Sequence, residues 1–218
     1  MPGWRKASPR ANQGALGRLA LATSLEHAVP VTQSNAQDQK DAPTVVDPVK
    51  RYLHYEKAYL DGELDPAFKI LTAWEMRFVV NSEDPDEILS WGREMLRTYR
   101  PDYMSGDYGW RYVSSVRSEV PYGSQNVQYD DPSNHQHQNI IRNGGICGRR
   151  AFFGRFILRS FGIPTPDFAV ITKHDDISEC RLSFPLFAKP LAEGTGKGIS
   201  ARSRIESRDQ LLSVCSEL

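Results

Sequence analysis

Gly162 divides the sequence into two textures, and that change limits the fold more than any other feature. Before it, apolar and aromatic residues recur at helical spacing; after it, short apolar runs alternate with turn residues. Val49, Tyr52, Leu53, Tyr55, Tyr59 and Leu60 mark one helix, and a second helical stretch is predicted over 66–74. Asp84-Pro85-Asp86-Glu87 is a start signal, with Asp84 as the cap, Pro85 at the first position and Glu87 closing a capping box. Ile88, Leu89, Trp91, Met95, Leu96 and Tyr99 then form a stripe that Pro101 stops. Trp110, Val113, Val116 and Val120 give another helical face, and the polar segment 125–143 reads as a long loop.

Beyond Gly162, Phe168–Thr172 reads as a strand, 175–181 as a short helix, 184–190 as a second strand and 199–201 as a third. Ser207-Arg208-Asp209-Gln210 opens a last helix. The fold class is therefore α+β, a helical portion over 49–162 followed by a β-α-β-β-α unit over 163–218. Residues 1–48 read as a disordered tail and linker. Arg5, Lys6 and Arg10 precede an apolar stretch at 15–22 that loosely imitates a signal peptide, but Arg18 interrupts it. A frayed or weakly helical tail is expected there.

Charge narrows the functional classes. The 218 residues carry 27 Lys+Arg against 27 Asp+Glu, so the chain has no field to recruit a nucleic acid or an anionic membrane surface. No apolar run reaches the length of a bilayer span. Three cysteines make an odd count, which points away from a disulfide framework and towards the cytoplasm.

Two stretches carry chemistry. Asn143-Gly144-Gly145-Ile146-Cys147-Gly148-Arg149-Arg150 places a cysteine in the first turn of a helix that Gly162 caps. Unpaired N–H groups, the helix dipole and two arginines can bring such a thiol from about 8.5 to roughly 3.5–7.5. The residues alone leave two readings, a nucleophile or a structural cysteine filling an apolar gap.

The second stretch runs from Phe184 to Ser200 and contains Ala188-Lys189-Pro190 and Glu193-Gly194-Thr195-Gly196-Lys197-Gly198. A lysine ending an apolar strand can reach phosphate as a point charge, and a glycine-rich loop lets backbone N–H groups crowd around phosphate oxygens. Neither the P-loop spacing nor a dinucleotide fingerprint is present. On glycines alone a plain hairpin fits equally well.

Gly144 to Phe153, with Leu158-Arg159-Ser160-Phe161-Gly162-Ile163-Pro164 after it, resembles the nucleophile helix of the transglutaminase-like, papain-related superfamily. The resemblance extends back to about Val49. It implies cysteine acyl transfer or amide hydrolysis on a peptide-like substrate, with Cys147 as nucleophile. The family's histidine and acid on following strands have no counterpart; His174 reads as a helix start, and His135 and His137 as solvated loop residues, with a fortuitous base or a metal pair as the alternatives.

From Phe161 onward the sequence resembles the ATP-binding core of the ATP-grasp superfamily, close to D-alanine–D-alanine ligase. This resemblance implies ATP, and magnesium by family. Lys189 would contact phosphate, and Glu193, Gly194, Thr195, Gly196, Lys197 and Gly198 would close over it. The family's magnesium ligands, which should come later, are not matched before Leu218.

Both resemblances pass through Phe161-Gly162-Ile163-Pro164-Thr165, as a fusion would. Three functions follow as expectations, with the cysteine enzyme first because it covers more of the chain. An ATP-grasp ligase fragment is second, and an inactive fusion or interaction module with open, self-associating sheet edges is third.

Overall fold

A computed structural model describes residues 4–34, 43–104, 112, 114–116, 120, 137–144, 147–166, 168–190 and 197–217. The chain divides into two compact units after Thr165.

In the first unit the described elements are helical: α1 (Trp4–Ala7), α2 (Gly14–Glu26), α3 (Pro48–Leu60), a 3-10 helix (Pro66–Ile70), α4 (Ala73–Val80), α5 (Asp86–Glu94), α6 (Pro101–Met104), α7 (His137–Asn143) and α8 (Cys147–Ser160). A π-helical turn, Met95–Tyr99, prolongs α5.

The N-terminal segment departs from the expected tail. Ala15, Leu16, Leu19, Ala20 and Ala22 form a buried stripe on α2, which packs on α4, and Leu19 is wholly inaccessible. Arg18, the residue that breaks the apolar run, has a structural use. Its Nε donates to Leu71 O at 2.7 Å and its Nη2 to Lys69 O at 2.6 Å, satisfying carbonyls where the 3-10 helix ends. The expected linker is partly ordered too: Thr32 and Val45 bridge in antiparallel fashion, and Val46 is buried.

The helix expected over 66–74 is two elements. Asp65 caps the 3-10 turn through Ala67 N, and Leu71 is extended. Thr72 and Glu75 then form the capping box that starts α4. At α5 the expected cap is also corrected. The helix starts from Pro85, and the Asp84 carboxylate instead accepts from Ser82 Oγ at 2.9 Å and from His137 Nε2 at 2.7 Å. Buried between these elements, Arg51 donates to Asp86 Oδ1 and to the carbonyls of Val80, Ser82 and Asp84, so one guanidinium ties α3 to the turn before α5.

Of the loop expected over 125–143, residues 125–136 lie outside the described residues, and so do Trp110 and Val113 of the preceding helical face. His137–Asn143 is helix rather than loop, because Ile140 is apolar and fully buried. On α8 the buried residues are Phe153, Phe156, Ile157, Arg159 and Ser160, whereas Ala151 is exposed. Trp91 of α5 stacks on Phe156, with ring centroids 6.0 Å apart. Gly162, at φ 74°, ends α8 and lets Ile163 N reach Leu158 O. The turn that follows belongs to the first unit, since Thr165 N donates to Phe78 O and Arg159 Nε donates to Thr165 Oγ1 at 2.7 Å.

The second unit, Pro166–Leu218, contains α9 (His174–Glu179), β1 (Leu186–Phe187), a 3-10 turn (Ala201–Ser203), β2 (Arg204–Ile205) and α10 (Arg208–Cys215). The strands pair antiparallel, Leu186 opposite Ile205 and Phe187 opposite Arg204. Ile177, Cys180, Ile205, Leu211 and Val214 form its small core. Ser207 Oγ accepts from Gln210 N and starts α10.

All three expected strands of this unit differ, the one expected over 184–190 being only Leu186–Phe187. Residues 168–172 pair with nothing as a strand among the described residues, and Phe168 and Val170 are exposed. An apolar run becomes a strand only where a partner ladder takes its N–H and C=O groups. Asp176 instead takes Thr172 N, Thr172 Oγ1 and Lys173 N, fixing the start of α9. The strand expected at 199–201 begins at Arg204, because Ser200 Oγ accepts from Arg202 N and turns the chain into a 3-10 helix first.

Candidate functional site

The Lys189 hairpin is built from the paired strands outward. Ala188 N donates to Ser203 O at 2.8 Å, which carries the β1–β2 ladder one residue past Phe187. Ser203 is buried and held in turn by Ser200, whose carbonyl accepts from Ser203 N at 3.0 Å and whose N–H donates to Ser203 Oγ at 3.0 Å. Lys189 therefore leaves the end of a fixed ladder and stands exposed to solvent.

Its electrostatic setting differs from that of the neighbouring cations. Arg202 is held by Glu217 at 2.6 Å and Arg204 by Glu206 at 2.6 Å. Lys189 has no carboxylate partner among the described residues, so its charge is open to an anion.

On the far side of the loop, Lys197 and Gly198 are exposed and form a turn. Gly198 has φ 79°, and a Cβ placed on it would lie 2.4 Å from Pro190 Cγ. Only glycine fits this backbone against that ring. Glu193, Gly194, Thr195 and Gly196 lie outside the described residues. Lys189 and Gly198 are thus brought to the two feet of one loop.

The other candidate, Cys147, is the first residue of the 14-residue helix α8. The histidine nearest it in sequence is held by groups of its own. His137, expected as a solvated loop residue, is 1% exposed at the start of α7. Its ring stacks on Phe156, with centroids 3.6 Å apart, and on Phe152 at 4.9 Å. Those residues lie in the second and third turns of α8, at least about 7 Å along the axis from the Cys147 backbone. Burial alone would raise the Asp84 carboxyl, but the His137 and Ser82 hydrogen bonds and the Arg51 charge hold it below its ordinary value. His137 and Asp84 form a pair in the core. Sequence reasoning missed it; the signal was available only as an acid before a proline and a histidine in polar surroundings. His135 lies outside the described residues. His174 begins α9, in the second unit, and is exposed.

Among the described residues no group of three His, Cys, Asp or Glu side chains is arranged to hold a metal ion. The described residues therefore supply no ligand set for a bound magnesium. The Lys189 hairpin offers an exposed cation at a ladder end, beside a glycine whose backbone has no room for a Cβ. Also among the described residues, no helix is long and apolar enough to cross a membrane.

Known proteins match only part of the chain. A Streptomyces coelicolor protein, named provisionally as a D-alanine–D-lactate ligase, is 42% identical over 66 residues, which cover 30% of this chain and 19% of that protein. The D-alanine–D-alanine ligase of a Neisseria meningitidis serogroup C strain is 37% identical over 68 residues, covering 29% of this chain and 21% of the ligase. The corresponding ligase of a serogroup B strain matches to the same extent. No family model matches the chain, and no solved structure matches it. The chain spans about a fifth of the length of these relatives, and within that stretch it is similar to D-alanine–D-alanine ligases.

Proposed function

We propose that the second unit is a nucleotide-phosphate-binding piece of the ATP-grasp type, working in the cytoplasm as part of a carboxylate–amine ligase. The observation that carries this reading is Lys189, exposed and without a carboxylate partner at the end of the β1–β2 ladder, while Arg202 and Arg204 are neutralised. The partial likeness to D-alanine–D-alanine ligases supports it. ATP bound there would supply the phosphoryl group. This chain's own part is to hold the phosphate chain by charge at Lys189, with Gly198 keeping the loop packed against the Pro190 ring where no side chain fits.

This reverses the order that coverage of the sequence suggests. The cysteine reading rests on the motif around Cys147 alone, since His137 is committed to Asp84 and the phenylalanines of α8. Substituting Lys189→Ala in the full chain and titrating both proteins with ATP tests the ligase-like reading. Weaker binding in the variant supports it, and equal binding refutes it.

A third reading, an interaction module, has its own observation. Phe168, Val170, Phe187 and Ile199 are exposed apolar residues of the second unit, and the described sheet has only two strands. Self-association through those edges would appear as a mass that rises with concentration in light scattering; a constant monomer mass would exclude it.

A further inference from the structure

We propose that Cys180 and Cys215 are a redox-responsive thiol pair, which a peroxide joins into a disulfide that staples α10 to the end of α9. This goes beyond the nucleotide reading and does not depend on it.

Both cysteines are free thiols on one small core. Ile177, Cys180, Ile205, Leu211 and Val214 are the buried apolar residues of that core among the described residues, and Cys215 packs against it. The backbone of Cys180 is fixed from both sides. Its N–H donates to Asp176 O at 3.1 Å and to Ile177 O at 3.3 Å, and its carbonyl accepts from Arg208 Nη1 at 3.0 Å. Arg208 also donates to the carbonyls of Ile177 and Ser178, so the first residue of α10 is docked on the open end of α9. Leu211 and Cys215 follow Arg208 one and two turns along α10, on the same face. The face that Arg208 turns towards Cys180 is therefore the one that carries Cys215. Burial first, and then the charge of Cys180, push the Cys215 thiol up, so each sulfur lies within the other's electrostatic reach.

Cys215 is the partly exposed member, and Cys180 is the buried one. A peroxide therefore meets Cys215 first. The Cys215 thiolate attacks one oxygen of hydrogen peroxide, the O–O bond breaks, and hydroxide leaves behind a sulfenic acid. The Cys180 thiolate then attacks that sulfur; the S–S bond forms, the S–O bond breaks and a second hydroxide leaves. The two thiol protons turn both hydroxides into water. Two thiols have lost two electrons in all, and one peroxide has gained them. The bond closes the segment 180–215, which contains both strands and the Lys189 hairpin, over a core too small to hold it firmly by burial alone. In a reducing compartment the pair rests as thiols and the bond is transient.

The test treats the folded full chain, in a Cys147→Ser background, with hydrogen peroxide and follows it by peptide mass spectrometry and hydrogen exchange. The expected product is intramolecular and lighter by two hydrogens, with Cys180 and Cys215 in one linked peptide pair that dithiothreitol separates. Peptides over 174–180 and 204–215 should exchange at least about tenfold more slowly in the oxidised protein. Cys180→Ala should stop the reaction at a Cys215 sulfenic acid that dimedone traps, and Cys215→Ser should abolish the linked product. Should Cys180→Ala fail to fold, Cys215→Ser, at the partly exposed position, still decides the matter.

The inference is overturned if peroxide makes no Cys180–Cys215 bond, if the bond forms only between two chains, or if it forms only in urea. Each result would mean that the fold does not bring the two sulfurs together. A bond that leaves hydrogen exchange unchanged would overturn the staple.

Discussion

Arg93 donates from Nη1 to His54 Nε2 across 3.1 Å, which places a permanent cation against an imidazole lone pair. The same guanidinium is anchored by Glu63 at 2.9 Å and by Ser160 O at 2.9 Å, so it cannot withdraw. Burial, followed by the charges of Arg93 and Arg51, pushes the His54 pKa down to about 2. His54 is therefore neutral in the folded protein and takes up a proton only on unfolding. Stability should be full above pH 6.5, the ordinary histidine value, and fall as the pH drops below it, by at most about 1.4 kcal/mol per pH unit from this group. His27, lowered chiefly by burial, adds to the same slope. Urea unfolding at pH 7 and pH 5 measures the loss. His54→Gln, whose amide oxygen can still accept from Arg93, should flatten it, and an unchanged slope would show that His54 is not its source.

Leu19 tests whether the N-terminal helix belongs to the core. It is wholly buried against a cluster that includes Met76 and Val79. Leu19→Ala should cost about 2–5 kcal/mol in chemical denaturation. A tail residue would change stability by less than about 0.5 kcal/mol.

Arg51 has no exposed side-chain surface, and its partners are one carboxylate and three carbonyls. Arg51→Met should destabilise by about 3–5 kcal/mol, because half-buried Asp86 would lose its ion-pair partner and the carbonyls of Ser82 and Asp84 would lose the donor that Arg51 supplies. Loss of a weak surface pair would cost under about 1 kcal/mol, so denaturant midpoints separate the two cases.

Tyr55 donates its hydroxyl to Arg159 O at 2.9 Å, joining α3 to the end of α8. Burial holds that phenol in its neutral, donating form, with its pKa pushed up to about 12. Tyr55→Phe keeps the ring and removes one of the two donors to that carbonyl, the other being Gly162 N at 2.9 Å, which should cost about 0.5–1.5 kcal/mol of stability. No change in the midpoint would mean that Gly162 N alone satisfies Arg159 O.

What could be read in advance was local. Ser207 and Gln210 sit at the spacing of a capping interaction, and that contact needs nothing outside one turn. Asp84 carried an equally clear local signal and is used elsewhere, because His137, 53 residues away, competes for its carboxylate. Arg18 looked like an interruption for the same reason: the carbonyls it serves at Lys69 and Leu71 are remote in sequence. Phe168–Thr172 has the composition of a strand, yet strand formation depends on a partner ladder that composition does not show. For the candidate site, Lys189 and the glycines were legible as a motif. The close approach of Gly198 to Pro190 was not, since it depends on how the hairpin folds back.

The central claim is that this chain binds ATP phosphate through Lys189. Isothermal titration of the full chain with ATP, with and without magnesium, beside the Lys189→Ala variant at the same ionic strength, tests it most directly. The account predicts a saturable heat in the parent and an affinity about tenfold lower in the variant, with an unchanged melting temperature because Lys189 is exposed. No heat in the parent, or identical affinities in the two proteins, would contradict it.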